Sequence, residues 1–214
     1  MLIGAIPVSV RAEPELSIAL KSGPNGATLD HDNRINRYGF TGGVAGHLQW
    51  LLSDHFSLAG QLDLLYTPRG AGVVFEGVSQ GGIRQHYFDV MISARPEMKF
   101  GWASVYLLLG GGLNFLVRAS DETAAGMSQD VTDNLYRVDV ALLAGAGVAL
   151  HLPHGGFGPF RFDTVFLEAR HDHGLIDIDT NNGGFKNRTS SLMLGLSFVV
   201  AGSTSPAATA TPGE

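Results

Sequence analysis

No cysteine occurs anywhere in the 214 residues, which excludes a disulfide framework and any thiolate-held metal centre. Charge is scarce as well. Asp, Glu, Lys and Arg make up 16% of the chain, against roughly a quarter in ordinary soluble domains. The balance is acidic, with a formal net charge of −6, so the basic footprint of a nucleic-acid binder is missing. No apolar run reaches the roughly 18 residues that a membrane-spanning helix requires. Any route across a bilayer must therefore use strands. Hydrophobic residues, by contrast, make up 44% of the chain and glycines number 29. That is too much apolar material for a disordered chain.

The two ends differ from the middle. Residues 1–13 hold an apolar stretch from Leu2 to Val10, interrupted by Pro7, and then Val10-Arg11-Ala12. They read either as the remnant of a signal peptide, cut at a small-residue site, or as an N-terminal extension. Residues 202–214 are Ala, Thr, Ser, Pro and Gly with a single charge, the composition of a flexible tail. Residues 14–201 are expected to form one domain.

Within that domain the apolar residues recur at a period of two. The clearest case is residues 87–100. Phe88, Val90, Ile92, Ala94, Pro96, Met98 and Phe100 share one parity; Tyr87, Asp89, Met91, Ser93, Arg95, Glu97 and Lys99 share the other. A helix would mix the two sets, whereas a strand separates them. Pro96 predicts a bulge or a pairing defect, because proline cannot donate to a ladder. Residues 40–52, 57–69, 105–118, 136–150 and 189–198 alternate in the same way. Residues 15–21 and 164–172 do so less tidily. In the last of these, Arg161 and Asp163 lie off the parity of Glu168, Arg170 and Asp172, so either the strand starts after Asp163 or a bulge shifts the register.

About eight strands result, and their connections alternate in length. Residues 53–55, 101–103 and 153–159 are short. Residues 22–37, 70–83, 119–133 and 174–186 are longer. Short periplasmic turns and long external loops are the rhythm of an up-and-down outer-membrane barrel, and an even strand number puts both termini on the periplasmic side. The expected fold is thus all-β, a single antiparallel transmembrane barrel.

A soluble barrel would carry the same alternation inside out, so side-chain volume and charge must decide between them. The apolar face bears large residues on nearly every strand, more than an eight-stranded lumen can hold. Aromatics gather near strand ends (Phe40, Trp50, Phe56, Tyr66, Phe88, Phe100, Trp102, Phe115, Tyr136), as interfacial girdles do. The apolar face is therefore assigned to lipid. The expected interior is a plugged polar network of Asp63, Asp89, Arg95, Glu97, Lys99, Arg118, Arg137, Asp139, Glu168 and Arg170. Near-balanced signs allow pairing there, and an unpaired charge would cost several kcal/mol.

Several stretches, in order, resemble one known family, the PorT-type outer-membrane β-barrel proteins. They are Leu64-Leu65-Tyr66-Thr67-Pro68-Arg69-Gly70, Tyr87-Phe88-Asp89-Val90, Ala144-Gly145-Ala146-Gly147-Val148, Leu167-Glu168-Ala169-Arg170 with Gly174-Leu175, and Asn187-Arg188-Thr189 leading to Leu194-Gly195-Leu196-Ser197-Phe198. The resemblance covers residues 15–200. It implies a small barrel of the Gram-negative cell envelope and names no activity. It departs at the end, because members close at the aromatic of the last strand, whereas Phe198 is followed by residues 199–214.

Chemistry-bearing groups are few. His171, Asp172 and His173 invite a metal or catalytic reading, with Asp177 and Asp179 nearby, but no motif marks a third ligand. Ser190 and Ser191 fall on the strand adjacent to His171, as a lipid-modifying nucleophile would require. The glycine runs 110–112 and 145–147 precede no helix and cradle no phosphate. The expectation is no catalytic residue, no metal and no cofactor. The functional reading is a structural or interaction barrel in contact with outer-membrane lipid and lipopolysaccharide, exposing its loops to envelope protein partners. A lipid-modifying enzyme with a site at the external rim and a narrow small-solute pore stand as alternatives.

Overall fold

The computed structural model describes residues 14–29, 34–75, 78–152, 162–178 and 186–201. The two terminal segments set apart above, the 153–159 turn, Arg161 and Asp179 lie outside the described residues.

Eight long strands form the wall: β1 (Glu15–Leu29), β2 (Arg34–Leu51), β3 (Phe56–Phe75), β4 (Val78–Phe100), β5 (Ala103–Thr123), β7 (Val138–His151), β8 (Phe162–Gly174) and β9 (Asn187–Ala201). A three-residue strand, β6 (Ser128–Asp130), and a 3-10 turn (Thr132–Asn134) occupy the connection between β5 and β7. Each long strand pairs antiparallel with its sequence neighbours, and β9 returns to β1. The ring is closed, so no backbone edge is left to satisfy in hydrocarbon.

Alternation sets which side is which. Along β1, Ser17, Ala19, Lys21, Gly23 and Asn25 are buried, while Leu16, Ile18, Leu20 and Pro24 are exposed. The same holds on β4, where Tyr87, Asp89, Met91, Ser93, Arg95 and Glu97 are buried and Phe88, Ile92 and Met98 are exposed. Polar groups face in and large apolar groups face out, the inverse of a soluble barrel. Exposed aromatics form two belts: Phe56, Phe100 and Trp102 at the short-turn end, and Tyr38, Phe40, Tyr66, Phe88 and Phe115 toward the other. Along β3 the belts are separated by the run from Phe56 to Tyr66. At about 3.4 Å per residue and a tilt of about 40°, that run spans about 26 Å, the height of an outer-membrane apolar band.

The short end is built by tight turns. Gly101 has φ +64° and, with Trp102, joins the Phe100–Ala103 pair in a two-residue hairpin; glycine adopts that backbone region without steric cost. The other end corrects the loop assignment made from sequence. Residues 22–29 and 34–37 are strand, as are 70–75, 78–83 and 119–123. The β1–β2 and β3–β4 hairpins continue as ladders through Gly23, Pro24, Gly70 and Gly72, whereas the β1–β9 ladder skips Gly23 and Pro24.

Local irregularities follow the residues that cause them. Pro96 stays in register with Leu58 of β3, but β4 pairs with β5 at Ala94 and resumes at Glu97, so Arg95 and Pro96 interrupt that ladder. On β8 the register to β9 shifts between Phe162 and Thr164, which puts a bulge at Asp163 and resolves the two alternatives left by the sequence. A further bulge opposite His86 and Tyr87 leaves Val117 of β5 unmatched.

Candidate functional site: the sealed interior and the outer rim

The interior is filled by side chains that alternate parity brings together. At mid-height, Lys21 of β1 puts Nζ 2.8 Å from Asp63 Oδ1 and 2.8 Å from Glu168 Oε1. Arg170 of β8 bonds Asp63 Oδ2 at 3.3 Å and Asp172 at 3.1 Å. The side chains of Lys21, Asp63, Glu168 and Arg170 are at most 1% exposed. Gln61 donates to both oxygens of Asp63, and the Tyr106 hydroxyl donates to Glu168 at 3.4 Å. Each buried charge thus has opposite charge or a donor against it, which such burial requires.

Above and below this cluster lie separate groups. Arg69 bonds Asp89 at 2.7 Å and sits over the Tyr87 ring. Asp139 accepts from the amides of Asn114 and Asn187, and Asn187 also donates to the Tyr87 hydroxyl. At the short-turn end, Arg95 lies 3.8 Å over the Tyr106 ring and 3.3 Å from Glu97. Glu97 also accepts from Ser104 at 2.5 Å and Gln49 at 3.4 Å. His47 and His151 share this end, which opens as a polar basin of about 490 Å³ that Lys99 helps to line. Two glycines make room for the aromatics of the plug. A Cβ on Gly147 would collide with the Tyr106 ring, and one on Gly195 with Phe166.

The structure brings Asp63, Asp89, Arg95, Glu97, Asp139, Glu168 and Arg170 into the buried interior, and Lys99 to its half-buried lower edge. Two residues assigned to the network from sequence lie elsewhere. Arg118 is exposed because the bulge at Val117 reverses its parity. Arg137 precedes β7, is exposed, and bonds Asp133 in the connection instead. Sequence reasoning left Lys21, Arg69, Asp172, Gln61 and Tyr106 out of the network. All five share the polar parity of their strands, and that was the signal for including them.

The candidate chemistry at the rim separates onto two faces. His171 Nδ1 lies 2.9 Å from Ser190 Oγ on the exposed outer surface. Asp172 points inward, where Arg170 holds it. Among the described residues no group of three or more His, Cys, Asp or Glu is arranged to hold a metal ion. In the connection after β5, the Asp130 carboxyl is held below its ordinary value by hydrogen bonds from the Thr132 hydroxyl and backbone amide.

With lipid-sized apolar groups outside and a packed ionic interior, the wall has the form of a membrane barrel, and the family model for the outer membrane protein beta-barrel domain matches residues 11–180. The chain belongs to that family. This outer-membrane barrel is similar to solved structures of low identity. The attachment invasion locus protein Ail of Yersinia pestis, in complex with the heparin analogue sucrose octasulfate, is 17% identical, with 86% of this chain and 99% of that one covered and a TM-score of 0.43. Neisserial surface protein A is 13% identical over 87% and 99%, with a TM-score of 0.45. The outer membrane protease OmpT of Escherichia coli is 10% identical over 92% and 98%, with a TM-score of 0.40. The curated proteins give no match.

Proposed function

We propose that this barrel is a structural or interaction protein of the outer membrane, of the PorT type, with a lumen closed to solutes and no catalytic role. Its termini lie on the periplasmic side, and its extended hairpins face outward to lipopolysaccharide and to envelope protein partners. The observation that carries this reading is the Lys21–Asp63–Arg170–Glu168 cluster, whose side chains are shut off from solvent at mid-height. An eight-stranded interior is only just wide enough for side chains, and these ions fill it with mutual attraction rather than leaving a bore. Planar-bilayer recording tests the closed lumen: the expected trace is flat, and steady large conductance would favour the small-solute pore. Crosslinked pull-down from native envelope, read by mass spectrometry, tests the interaction role; recovery of no envelope protein above a barrel of unrelated sequence would count against it.

One observation favours a second reading. His171 and Ser190 stand within hydrogen-bond reach on the outer face, as a lipid-modifying enzyme needs of its base and nucleophile. The acid beside them, Asp172, is engaged inside the wall. A fluorophosphonate probe separates the readings: labelling of wild type that disappears in Ser190→Ala supports the enzyme, and no labelling supports the interaction barrel.

A further inference from the structure

The polar basin at the short-turn end is a blind cup. It holds about 490 Å³, within the range of small-molecule sites. Beyond its floor the Lys21–Asp63–Arg170–Glu168 cluster shuts the lumen, so a molecule that enters leaves by the same mouth. Charge divides along the depth of the cup. At the rim stand Glu15 of β1 and Asp163 of β8, whose carboxylates act on each other, with the Lys99 ammonium beside them. Glu15 makes no ion pair among the described residues. Asp163 takes hydrogen bonds from its own strand, including the Thr164 hydroxyl at 3.2 Å. Two carboxylates against one ammonium leave the rim acidic. Glu97 adds nothing to that surplus, because Arg95 pairs with it.

The floor has the opposite character. His47 of β2 is 4% exposed, and its ring lines the cup. Its Nδ1 lies 3.3 Å from the Ser17 hydroxyl, while its Nε2 has no hydrogen-bond partner among the described residues. The charges that act on this ring most are the cations Arg95 and Lys21, ahead of the carboxylates Asp63 and Glu97. With the Ser17 hydroxyl donating to Nδ1, Nε2 carries the proton and donates into the cup. A buried donor without a partner, in the field of two cations, suits an anionic acceptor. Ser17 pairs with His47 across the β1–β2 ladder, and Glu15 lies two residues nearer the mouth on the same parity. Two residues of a tilted strand rise about 5 Å, which separates the acidic rim from the donor at the floor.

We infer that this cup binds a small zwitterion, an aminocarboxylate whose ammonium lies between Glu15 and Asp163 and whose carboxylate accepts from His47 Nε2. Each charged end then meets its complement, as burial of charge requires, and the methylenes between them run along Ala59 and Phe166 of the cup wall. Resting on the reading that this end faces the periplasm, the ligand is a solute of that compartment. Binding itself needs the barrel and not that orientation.

The test uses the full chain folded in detergent micelles, where both mouths are open to solvent. The probes are 4-aminobutanoate and its two singly charged analogues, butylamine and butanoate, and titration calorimetry reads their affinities. Wild type should bind the zwitterion roughly tenfold more tightly than either analogue. Glu15→Gln should bring the zwitterion down to the level of butanoate, and His47→Leu should bring it down to the level of butylamine. Arg137→Gln, in the connection at the other end, should bind as wild type. Heat-modifiable mobility shows which variants fold; if His47→Leu does not, the exposed Glu15 still decides the matter. Equal affinity for the three probes, no binding of any of them, or an undiminished preference in Glu15→Gln would overturn the site and leave the barrel reading intact. Failure of wild type to fold as a heat-modifiable barrel would overturn that reading, and this site with it.

Discussion

Lys21 Nζ and Glu168 Oε1 meet 2.8 Å apart in the middle of the barrel, although 147 residues of chain separate them. The contact exists because β1 and β8 both flank β9 and both present their polar parity inward. Lys21 also holds Asp63 from β3, so one ammonium ties three strands together across the lumen.

Replacing that ammonium should therefore be costly. In Lys21→Met, Asp63 keeps Arg170 and Gln61, but among the described residues the hydrogen bond left to Glu168 is the long one from the Tyr106 hydroxyl at 3.4 Å, with Arg170 in electrostatic reach. Stranding a buried carboxylate costs about 3–5 kcal/mol. Urea unfolding from detergent or lipid should show a loss in that range, with membrane targeting preserved. Wild-type stability in Lys21→Met would mean the cluster is not formed.

Arg95 should matter less. Its carboxylate partner, Glu97, also accepts from Ser104 and Gln49, so Arg95→Ala removes one charge and the stacking on Tyr106 but leaves Glu97 bonded. The expected loss is about 1–3 kcal/mol, below that of Lys21→Met. A melting temperature unchanged from wild type would place this parity in water instead of inside the wall.

The outer face of β4 should reject charge. Ile92 is 66% exposed on the outer surface. Ile92→Arg should cost about 2–4 kcal/mol, as a cation does near the bilayer midplane, and should lower folded yield in vesicles. Ser93→Ala, one residue away on the inner parity, should fold as wild type. Equal folding of both variants would contradict the assignment of faces.

Gly147 is kept small by its neighbour. A methyl group there would run into the Tyr106 ring, which carries Arg95 on its face and reaches Glu168. Gly147→Ala should lose about 1–3 kcal/mol through overpacking. Combining it with Tyr106→Phe should recover little, because the ring remains, whereas Tyr106→Leu should recover more. The reverse order of recovery would show that the hydroxyl and not the ring sets the constraint.

Much of this was legible in the chain. The period of two named the strands, the faces and most of the interior residues, because a closed antiparallel wall obeys only parity. Parity was also where the reading went astray. Arg118 was assigned inward by counting from Asn114, and a one-residue bulge at Val117, which no residue type announces, turned it out. Arg137 was counted as part of a strand that begins one residue later. Strand ends were missed where Gly23-Pro24-Asn25-Gly26 and Gly70 read as loop, although hairpin pairing carries the ladder through them. Lys21 and Arg69 had the right parity; Arg69 meets Asp89 of the adjacent strand, whereas Lys21 meets Glu168 of a strand far away in sequence, a pairing no local pattern reveals.

The central claim is that the apolar face of this wall meets lipid and the hairpin end meets water. The chain has no cysteine, so single cysteines at Ile92 and Arg84 can carry a nitroxide without background. Collision rates with oxygen and with a water-soluble nickel chelate, measured by electron paramagnetic resonance in vesicles, report the surroundings of each. The account predicts high oxygen and low nickel collision at residue 92, and the reverse at residue 84. Nickel collision as frequent at residue 92 as at residue 84 would contradict it.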